Sequence, residues 1–412
     1  MLSLLASSVQ AGVAMLDEPT AVADGQIGVY IEGDRLRGLS LRYCGLEALP
    51  EAIGELDTLR QLDVTGNRLH TLPASIGHLR RLERLYADHN ALESLPTTFG
   101  NLAGLREVHL DNNQLTFLPE TIGELTNLVE IHLLKNKLRV IPEAFWELPK
   151  LRRLYLGDNP FGELPETIGK LTQLQELYIH SGDLRSLPDS IGKLTGLHTL
   201  DIGHNALTAL PESMGALRNL EHFLYISNNQ LTELPERLFE NFEKLVYLNI
   251  TDNRLTRLPD SIGRLVHLQE LRLYNNRLEQ LPESLGNLTE LRELYVMNNR
   301  LTTLPESAGK LTALRALHLM NNSLRSLPAS IGDLGHLDYL DLRNNELTSV
   351  PDSIANLSNL SYLDLRNNRL HTVPDAIRSL PALKKLDLRW NKLRLLPRWI
   401  SELEERGCVV YK

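Results

Sequence analysis

The chain has 412 residues, of which 42% are hydrophobic and 23% are charged, and its formal net charge at pH 7 is −9. This negative balance argues against general affinity for nucleic acids or anionic membranes, and no segment reaches the ~18 consecutive apolar residues of a membrane-spanning helix. A chain of this length ordinarily folds as two or three globular domains, but its internal pattern indicates another organisation.

Residues 1–35 are predicted to form an N-terminal cap. Within residues 1–26, Leu2, Leu5, Val9, Val13 and Leu16 recur at helical spacing, which predicts a short helix. A cleaved secretion signal is the alternative, because the apolar run is followed by the small residues AGVA. No Lys or Arg precedes that run, however, so the capping helix is the preferred interpretation.

The second part of the cap has the alternation of a β-strand. Apolar residues alternate with others from Ile27, a turn follows at Glu32-Gly33-Asp34, and alternation resumes towards Leu39. This pattern predicts a β-hairpin whose second arm begins the repeats. Such a hairpin would cover the exposed edge of the sheet and the apolar end of the core.

Residues 36–403 repeat one unit sixteen times, L-x-x-L-x-L-x-x-N-x-L-x-x-L-P-x-x-I-G-x-L-x-x. Its proline recurs every 23 residues, with two steps of 24 at Pro211 to Pro235 and Pro235 to Pro259. This period and leucine pattern indicate a leucine-rich repeat. They predict an α/β solenoid, a curved horseshoe with a parallel sheet on its concave face and short helical or irregular segments on its convex face.

Each position that recurs in the repeated unit has a structural role. In the repeat that contains Leu294, Val296 and Asn299, the first two side chains point inward from a short strand. The asparagine amide is expected to bond backbone groups that the following turn leaves unpaired. Each buried leucine contributes roughly 1.5–3 kcal/mol, so these positions are assigned to stability.

Departures from the unit mark three places. Cys44 replaces the first asparagine and is expected to be buried, while Gly182 replaces the seventh and leaves a gap in the asparagine series. Both extra residues fall between Glu221 and Phe242, which predicts a local bulge or a change of curvature at the ninth and tenth repeats. Whether that irregularity is a functional hinge or tolerated drift is left open, with drift favoured.

Residues 404–412 are predicted to close the array with a capping strand in which Val409 and Tyr411 point inward. The two cysteines, Cys44 and Cys408, lie at opposite ends of the array and cannot pair with each other. The chain has no cysteine cluster of the kind that caps extracellular repeat arrays. A cytoplasmic location is therefore predicted, with a secreted effector as the alternative.

The segment LPESLGNLTELRELYVMNNRL at residues 281–301 resembles the repeats of Scribble and Erbin-type scaffolds and Ras-associated leucine-rich scaffolds. It is also similar to plant intracellular Ras-group leucine-rich proteins and bacterial relatives, some of them secreted effectors. The resemblance covers residues 36–403. It implies a curved solenoid that recognises other proteins through its concave sheet.

Nine of the twelve tyrosines lie on the outward positions that would form this concave surface. Tyrosine, arginine and methionine are enriched in the cores of protein interfaces. The alternative explanation is that tyrosine suits β-strands. The predicted partner-binding cluster in the second half of the array comprises Tyr225, Tyr247, Arg272, Tyr274, Tyr295, Met297, His318 and Met320.

A second predicted partner-binding group forms a ladder in the first half of the array. Its members are Tyr86, His109, His132, Tyr155 and Tyr178. Because neighbouring strands lie about 4.8 Å apart, His109 and His132 could share a metal ion, with Asp88 and Asp111 close enough to assist. Histidine ladders in solenoids are more often solvated surface, so no metal is predicted and a pH-sensitive contact is favoured.

A third group has alternating charges that are expected to neutralise one another. It comprises Tyr339-Asp341-Arg343, Tyr362-Asp364-Arg366 and Lys385-Asp387-Arg389.

The sequence contains no phosphate-binding loop, nucleophile elbow or zinc-spaced Cys/His cluster, so no enzymatic activity and no cofactor are predicted. The predicted function is a protein-interaction module that binds a protein partner on its concave face and is monomeric. Two alternatives remain: the recognition arm of a secreted bacterial effector, and that of a larger ligase or GTPase-type enzyme.

Overall fold

The computed structural model describes residues 14–16 and 26–412. The chain divides into two compact units, 1–197 and 198–412. Each unit is built from the same element, a three-residue strand followed by a turn, an extended segment that ends at proline and a short 3₁₀ helix. No helix in the described ranges is long and apolar enough to cross a bilayer.

In the first unit, β1 pairs in parallel with β2, β2 pairs in antiparallel with β3, and each later strand pairs in parallel with its predecessor. The strands of this unit are β1 Ala14–Met15, β2 Gly28–Glu32, β3 Arg35–Ser40, β4 Gln61–Asp63, β5 Arg84–Tyr86, β6 Glu107–His109, β7 Glu130–His132, β8 Arg153–Tyr155 and β9 Glu176–Tyr178.

In the second unit all neighbouring strands are parallel and in register. They are β10 Thr199–Asp201, β11 Phe223–Tyr225, β12 Tyr247–Asn249, β13 Glu270–Arg272, β14 Glu293–Tyr295, β15 Ala316–His318, β16 Tyr339–Asp341, β17 Tyr362–Asp364, β18 Lys385–Asp387 and β19 Val409–Tyr411.

The segments opposite the sheet are 3₁₀ helices of five residues each, and every one follows an extended proline. In the repeat that contains Pro282, this proline has φ −72° and ψ 151°. The helix ends where the N–H of Leu288 donates to the carbonyl of Leu285. In the first unit they are Glu51–Glu55, Ala74–His78, Thr97–Asn101, Glu120–Glu124, Glu143–Glu147, Glu166–Lys170 and Asp189–Lys193. In the second they are Glu212–Ala216, Asp260–Arg264, Glu283–Asn287, Glu306–Lys310, Ala329–Asp333, Asp352–Asn356 and Asp375–Ser379. Among residues 14–16 and 26–412, the one α-helix, α1, spans Ile400–Glu405.

The core lies between the sheet and the 3₁₀ helices. Leu294 and Val296 point into it from β14, and the side chains of Leu285, Leu288 and Leu291 close it from the other side with at most 2% exposure. Each repeat places five or more side chains in the narrow core between the sheet and the 3₁₀ helices. Leucine recurs every few residues because these side chains must fill that core closely.

Asparagine side chains link each turn to the preceding repeat. Asn299 donates through Nδ2 to the carbonyls of Leu273 and Val296, both at 3.0 Å, and its Oδ1 accepts from the N–H of Leu278 at 3.0 Å. One amide therefore pairs backbone groups of two repeats that have no strand or helix partner.

The gap in this series at Gly182 is bridged by the backbone. The N–H of Phe161 donates to the carbonyl of Asn159 at 2.9 Å, and the N–H of Gly162 donates to the carbonyl of Gly182 at 3.0 Å. A tighter turn thus replaces the missing side-chain amide.

The predicted bulge at the ninth and tenth repeats is absent from the strand pairing between residues 199 and 272. Leu200, Leu224 and Leu248 pair in sequence across β10, β11 and β12. One extra residue lies in the segment before β11. The other lies after Pro235, where residues 236–244 form turns, so the strands keep their register.

At the N-terminus, most of the proposed capping helix lies outside the described residues. Ala14–Met15 forms a strand, and the N–H of Leu16 donates to the carbonyl of Val29 at 2.8 Å, so the helix does not extend to these residues. Leu16 is buried and packs against Tyr30. The hairpin spans β2 and β3, with a register shift between Tyr30 and Ile31.

At the C-terminus, the closing strand is present but its orientation differs from the prediction. Val410 pairs with the inward Leu386, whereas Val409 and Tyr411 pair with the outward Lys385 and Asp387. The connection through α1 makes the spacing from Leu386 to its partner 24 residues instead of 23, and a shift of one residue reverses the faces of a strand.

Both cysteines carry free thiols. Cys408 is buried, but Cys44 is only half-buried, which contradicts the prediction for this residue. It stands in the first turn of the array, which no earlier asparagine turn covers. Burial raises the pKa of both thiols, so neither is activated as a nucleophile.

Candidate protein-binding face

The first and third residues of each strand point away from the core, and so does the residue two positions after the strand. We call the surface that these residues form in each unit its open sheet face. All thirteen residues predicted to bind a partner lie on this face, five in the first unit and eight in the second, and all are half-buried.

In the first unit the five predicted residues form one aromatic stack. Ring centroids of successive members lie 4.8, 4.0, 4.0 and 4.8 Å apart, close to the spacing of the strands that carry them. The stack runs through Tyr86, His109, His132, Tyr155 and Tyr178. The faces of its inner rings are therefore occupied by one another.

Carboxylates hold the edges of this stack. Nε2 of His132 lies 2.8 Å from Glu130, and Nδ1 lies 3.6 Å from Asp111. Burial opposes protonation of His132, but the hydrogen bonds and charges of Asp111 and Glu130 outweigh it and raise its pKa to about 9. Burial likewise raises the pKa of Glu130, but His132 and Arg153 outweigh it and lower the value to about 2. At neutral pH His132 is therefore an imidazolium between two carboxylates.

His109 repeats the arrangement one strand earlier, with Nε2 at 3.0 Å from Glu107 and Nδ1 at 3.8 Å from Asp88. The hydrogen bond from His109 lowers the pKa of Glu107, which also accepts from the hydroxyl of Tyr86 at 3.0 Å. One ligand atom each of His109, Glu130 and His132 lies within 4.8 Å of the others, but two features disfavour a metal shared by His109 and His132. Their rings stack with only 13° between planes, so the in-plane lone pairs do not converge, and each Nε2 already faces a carboxylate.

In the second unit the predicted cluster is organised around an arginine. The guanidinium carbon of Arg272 lies 5.5 Å from the ring centroid of Tyr247 and 5.3 Å from that of Tyr295, within the range of cation–π attraction. Nε of Arg272 donates to Glu270 at 2.5 Å. Tyr225 packs against Tyr247 at 5.1 Å, and the cluster therefore spans four strands from β11 to β14.

The cluster continues further along the sheet than predicted. Tyr295 stacks on His318 at 4.5 Å, His318 contacts Tyr339 at 4.8 Å, and Tyr339 stacks on Tyr362 at 4.3 Å. Tyr339 and Tyr362 had been assigned to the charged third group. Their alignment with Tyr295 and His318 across strands shows only when ring positions are known, because they occupy the first position of their strands and not the third.

Tyr274, Met297 and Met320 lie two positions after their strands. Both methionines are half-buried. Sδ of Met320 accepts from Arg343, at 3.0 Å from Nε and 2.7 Å from Nη2. The thioether of Met320 is therefore covered in part by the guanidinium of Arg343.

Burial sets the protonation of the cluster. It raises the pKa of Tyr247 and, together with the hydrogen bond to Glu293, that of Tyr295, in each case to about 12. Burial lowers the pKa of His318. At neutral pH the two phenols keep their protons and the imidazole is uncharged, so Arg272 is the cation at the centre of the cluster.

The third group forms ion pairs along β16 to β18, as predicted. Asp341 lies 3.3 Å from Arg343, Asp364 lies 2.9 Å from Arg366, and Asp387 lies 2.6 Å from Arg389. These aspartates are almost completely buried beneath the arginines. They support the surface rather than forming it.

Phe223 was missed by the sequence analysis. It begins β11 with 41% of its surface exposed, and its ring lies 5.7 Å from Tyr247 and 5.9 Å from Tyr225. A phenylalanine at the first strand position, where most repeats carry a charged or polar residue, was the available signal.

Matches to known proteins agree with this architecture. The leucine-rich repeat region model matches residues 34–113, 237–323 and 306–405, and a leucine rich repeat model matches residues 96–161. No curated protein matches the chain at a significant level.

Solved structures of similar architecture come from bacteria and plants. A leucine-rich-repeat protein of Leptospira interrogans is 31% identical with a TM-score of 0.71, over 97% of this chain and 100% of its own. The plant peptide hormone receptor RGFR1, solved in complex with RGF2, is 30% identical with a TM-score of 0.70, over 92% of this chain and 68% of its own. The Arabidopsis receptor kinase HAESA, solved with the peptide hormone IDA and the co-receptor SERK1, is 26% identical with a TM-score of 0.66, over 91% and 74%. From its repeats, its fold and these matches, the chain belongs to the leucine-rich repeat family.

Proposed function

We propose that the chain is a protein-interaction module that binds a protein partner through the open sheet face of its second unit. The observation that carries the proposal is the placement of Arg272 between Tyr247 and Tyr295. Tyrosine and arginine dominate the energetic centres of protein interfaces, because large rigid rings and a planar cation gain much from desolvation by a partner.

The surroundings of this cluster support the same proposal. Phe223 presents exposed apolar surface at one end, and the stacked rings of Tyr295, His318 and Tyr339 extend the surface at the other. The buried aspartates beneath the arginines hold the neighbouring side chains in place, which reduces the entropy lost when a partner binds. Receptors of similar fold that were solved with peptide hormones agree with a polypeptide ligand.

In the first unit the aromatic stack is a second candidate contact surface. The inner rings there are covered by one another and their polar edges are held by carboxylates, so less of the stack is free to meet a partner. We therefore place the main contact on the second unit.

The test is site-specific photo-crosslinking in a lysate of the source organism, with a photoreactive amino acid at Tyr274 and, as a matched control, at Val266. Val266 is 39% exposed and follows the 3₁₀ helix Asp260–Arg264, away from the sheet. A protein captured through position 274, not through 266, and lost in an Arg272→Ala/Tyr295→Ala variant would establish the site. Capture that is equal at both positions, or that survives the double substitution, would overturn the proposal.

A further inference from the structure

The extra residue before β11 belongs to a cluster of two histidines and a glutamate. His198 directly precedes β10, whereas Glu221 and His222 lie in the segment before β11 that is one residue longer than its counterparts. The N–H groups of Glu221 and His222 both donate to the carbonyl of His198 at 3.2 Å, which fixes the three residues side by side.

Their side chains converge on one point. Nδ1 of His198 lies 3.7 Å and Nδ1 of His222 lies 3.9 Å from the same oxygen, Oε1 of Glu221. All three atoms lie within 4.8 Å of one another. Ligand atoms bound at 2.0–2.2 Å to a tetrahedral ion are separated by roughly 3.3–3.6 Å, so a small inward movement of side chains would complete such a geometry.

We propose that His198, Glu221 and His222 form a binding site for a divalent transition-metal ion, Zn²⁺ in particular. Two imidazoles and one carboxylate are a ligand set that zinc accepts, whereas Mg²⁺ and Ca²⁺ prefer oxygen ligands alone. The fourth position is open to water or to a donor atom from a bound protein.

The contrast with the other histidine pair supports this assignment. His109 and His132 stack in nearly parallel planes, and Arg153 pairs with the adjacent Glu130. The rings of His198 and His222 are instead 6.2 Å apart and tilted by 46°, so their lone pairs can meet. No arginine or lysine within the described ranges pairs with Glu221, so a metal ion would displace no cation.

The inserted residue explains why the site occurs at this repeat. In other repeats only two residues lie between the leucine that precedes the strand and the leucine in the middle of the strand. The second of these two residues begins the strand, and its side chain joins the open sheet face. Here three residues, Glu221, His222 and Phe223, lie between Leu220 and Leu224, so Phe223 takes the first strand position and His222 stays before the strand, beside Glu221. A bound ion would link the segment before β11 to His198, which directly precedes β10. The site lies at the edge of the surface formed by Phe223, Tyr225 and Tyr247.

The test is titration of the metal-free, full-length chain with Zn²⁺ by calorimetry, and with Co²⁺ by visible absorption, which reports tetrahedral coordination. The variants are His198→Gln, Glu221→Gln and His222→Gln, and the control is His109→Gln/His132→Gln. His222 is mostly exposed, so its substitution is expected to leave the fold intact. Each site variant should weaken Zn²⁺ binding by more than the roughly 10- to 100-fold that loss of a supporting outer contact costs. The control should bind as the wild type does.

Zn²⁺ should also raise the thermal unfolding temperature of the wild type and the control but not that of His222→Gln, because a ligand that binds the native state stabilises it. Three results would each overturn the proposal: no binding by the wild type up to about 1 mM Zn²⁺, binding that the three site variants retain, or binding lost only in the His109→Gln/His132→Gln control.

Discussion

The imidazole of His132 stacks on that of His109 with ring centroids 4.0 Å apart, although two carboxylates raise the pKa of His132 to about 9. A cationic ring is thus stabilised within the aromatic stack by Glu130 and Asp111 at its two edges. This pair of contacts holds a positive charge within the open sheet face of the first unit.

This arrangement predicts that the protein loses stability as the pH becomes alkaline. The folded-state pKa of His132 exceeds the unfolded value of 6.5, so its contribution is fully present below pH 6.5 and is lost as pH rises through about 9. His132→Gln should lower the free energy of unfolding by about 1–2 kcal/mol at pH 7 and by clearly less near pH 10. Urea unfolding at both pH values measures the difference.

His318→Gln is the matched control, since His318 also lies between aromatic rings but burial lowers its pKa. Above pH 7 its protonation changes little in either state, so its effect should be nearly the same at pH 7 and pH 10. Equal pH dependence of the two variants would contradict the ion-pair interpretation.

On the open sheet face of the second unit, Asp341 and Asp387 should change the stability of the fold in opposite directions when the pH is lowered. Burial raises the pKa of Asp341 to about 6. Burial also acts against ionisation of Asp387, but the hydrogen bonds and charge of Arg389 outweigh it and lower its pKa. The difference arises because Arg389 holds both oxygens of Asp387, at 3.0 and 2.6 Å, whereas Arg343 reaches Asp341 at 3.3 Å.

At pH 7 we expect Asp387→Asn to be destabilising by about 1 kcal/mol and Asp341→Asn to be neutral or stabilising. As pH falls from 6 to 3.8 the wild type should gain stability relative to Asp341→Asn, because the native state then binds a proton that the unfolded state does not. Relative to Asp387→Asn it should lose stability as pH falls below 3.8. Thermal unfolding across this range tests both signs, and a common trend for the two variants would refute the assignment.

The sequence predicted the fold well because each repeat carries its own copy of the same constraints. Leu294, Asn299 and Pro305 have counterparts with the same role in most other repeats, so a wrong assignment at one repeat is exposed by comparison with the others. Two predictions failed, the orientation of Val409 and a bulge in the strand pairing at the ninth repeat, and both failures occur where a local insertion has no second copy from which its placement could be inferred.

The candidate site was predicted less completely. Strand alternation places Tyr247, Arg272 and Tyr295 on the outward face, but it does not predict that the guanidinium lies between the two rings, since that depends on rotamers. The convergence of His198 and His222 on Glu221 was also missed, because the inserted residue moves these side chains out of the repeat pattern on which the sequence analysis relied.

The asparagine series predicts that substitutions at the neighbouring residues Asn299 and Asn298 differ strongly in how much they destabilise the chain. Asn299→Ala should destabilise the chain by about 2–4 kcal/mol, because it leaves buried backbone groups of Leu273, Val296 and Leu278 without partners. Asn298 is exposed and has φ of +56°; its side chain bonds to those of Asn275 and Asn321, and its backbone N–H, which glycine would keep, donates to the carbonyl of Met320. Asn298→Gly, which keeps the left-handed conformation accessible, should cost less than about 1 kcal/mol. Similar losses in thermal unfolding would show that the buried amide has no special role.

The close packing of successive 3₁₀ helices gives the last prediction. A Cβ at Gly286 would lie 2.5 Å from the backbone oxygen of Ser307 in the next repeat, whereas a Cβ at Gly335 would meet no atom within 4 Å. Gly286→Ala should therefore force the two helices apart and cost about 1–3 kcal/mol, as overpacking does in a core. Gly335→Ala should be neutral or slightly stabilising, because alanine reduces the entropy of the unfolded chain. Calorimetric unfolding of the two variants decides between these outcomes. If Gly286→Ala unfolds at the temperature of Gly335→Ala, the repeats can separate without cost, and glycine is not required there for close packing.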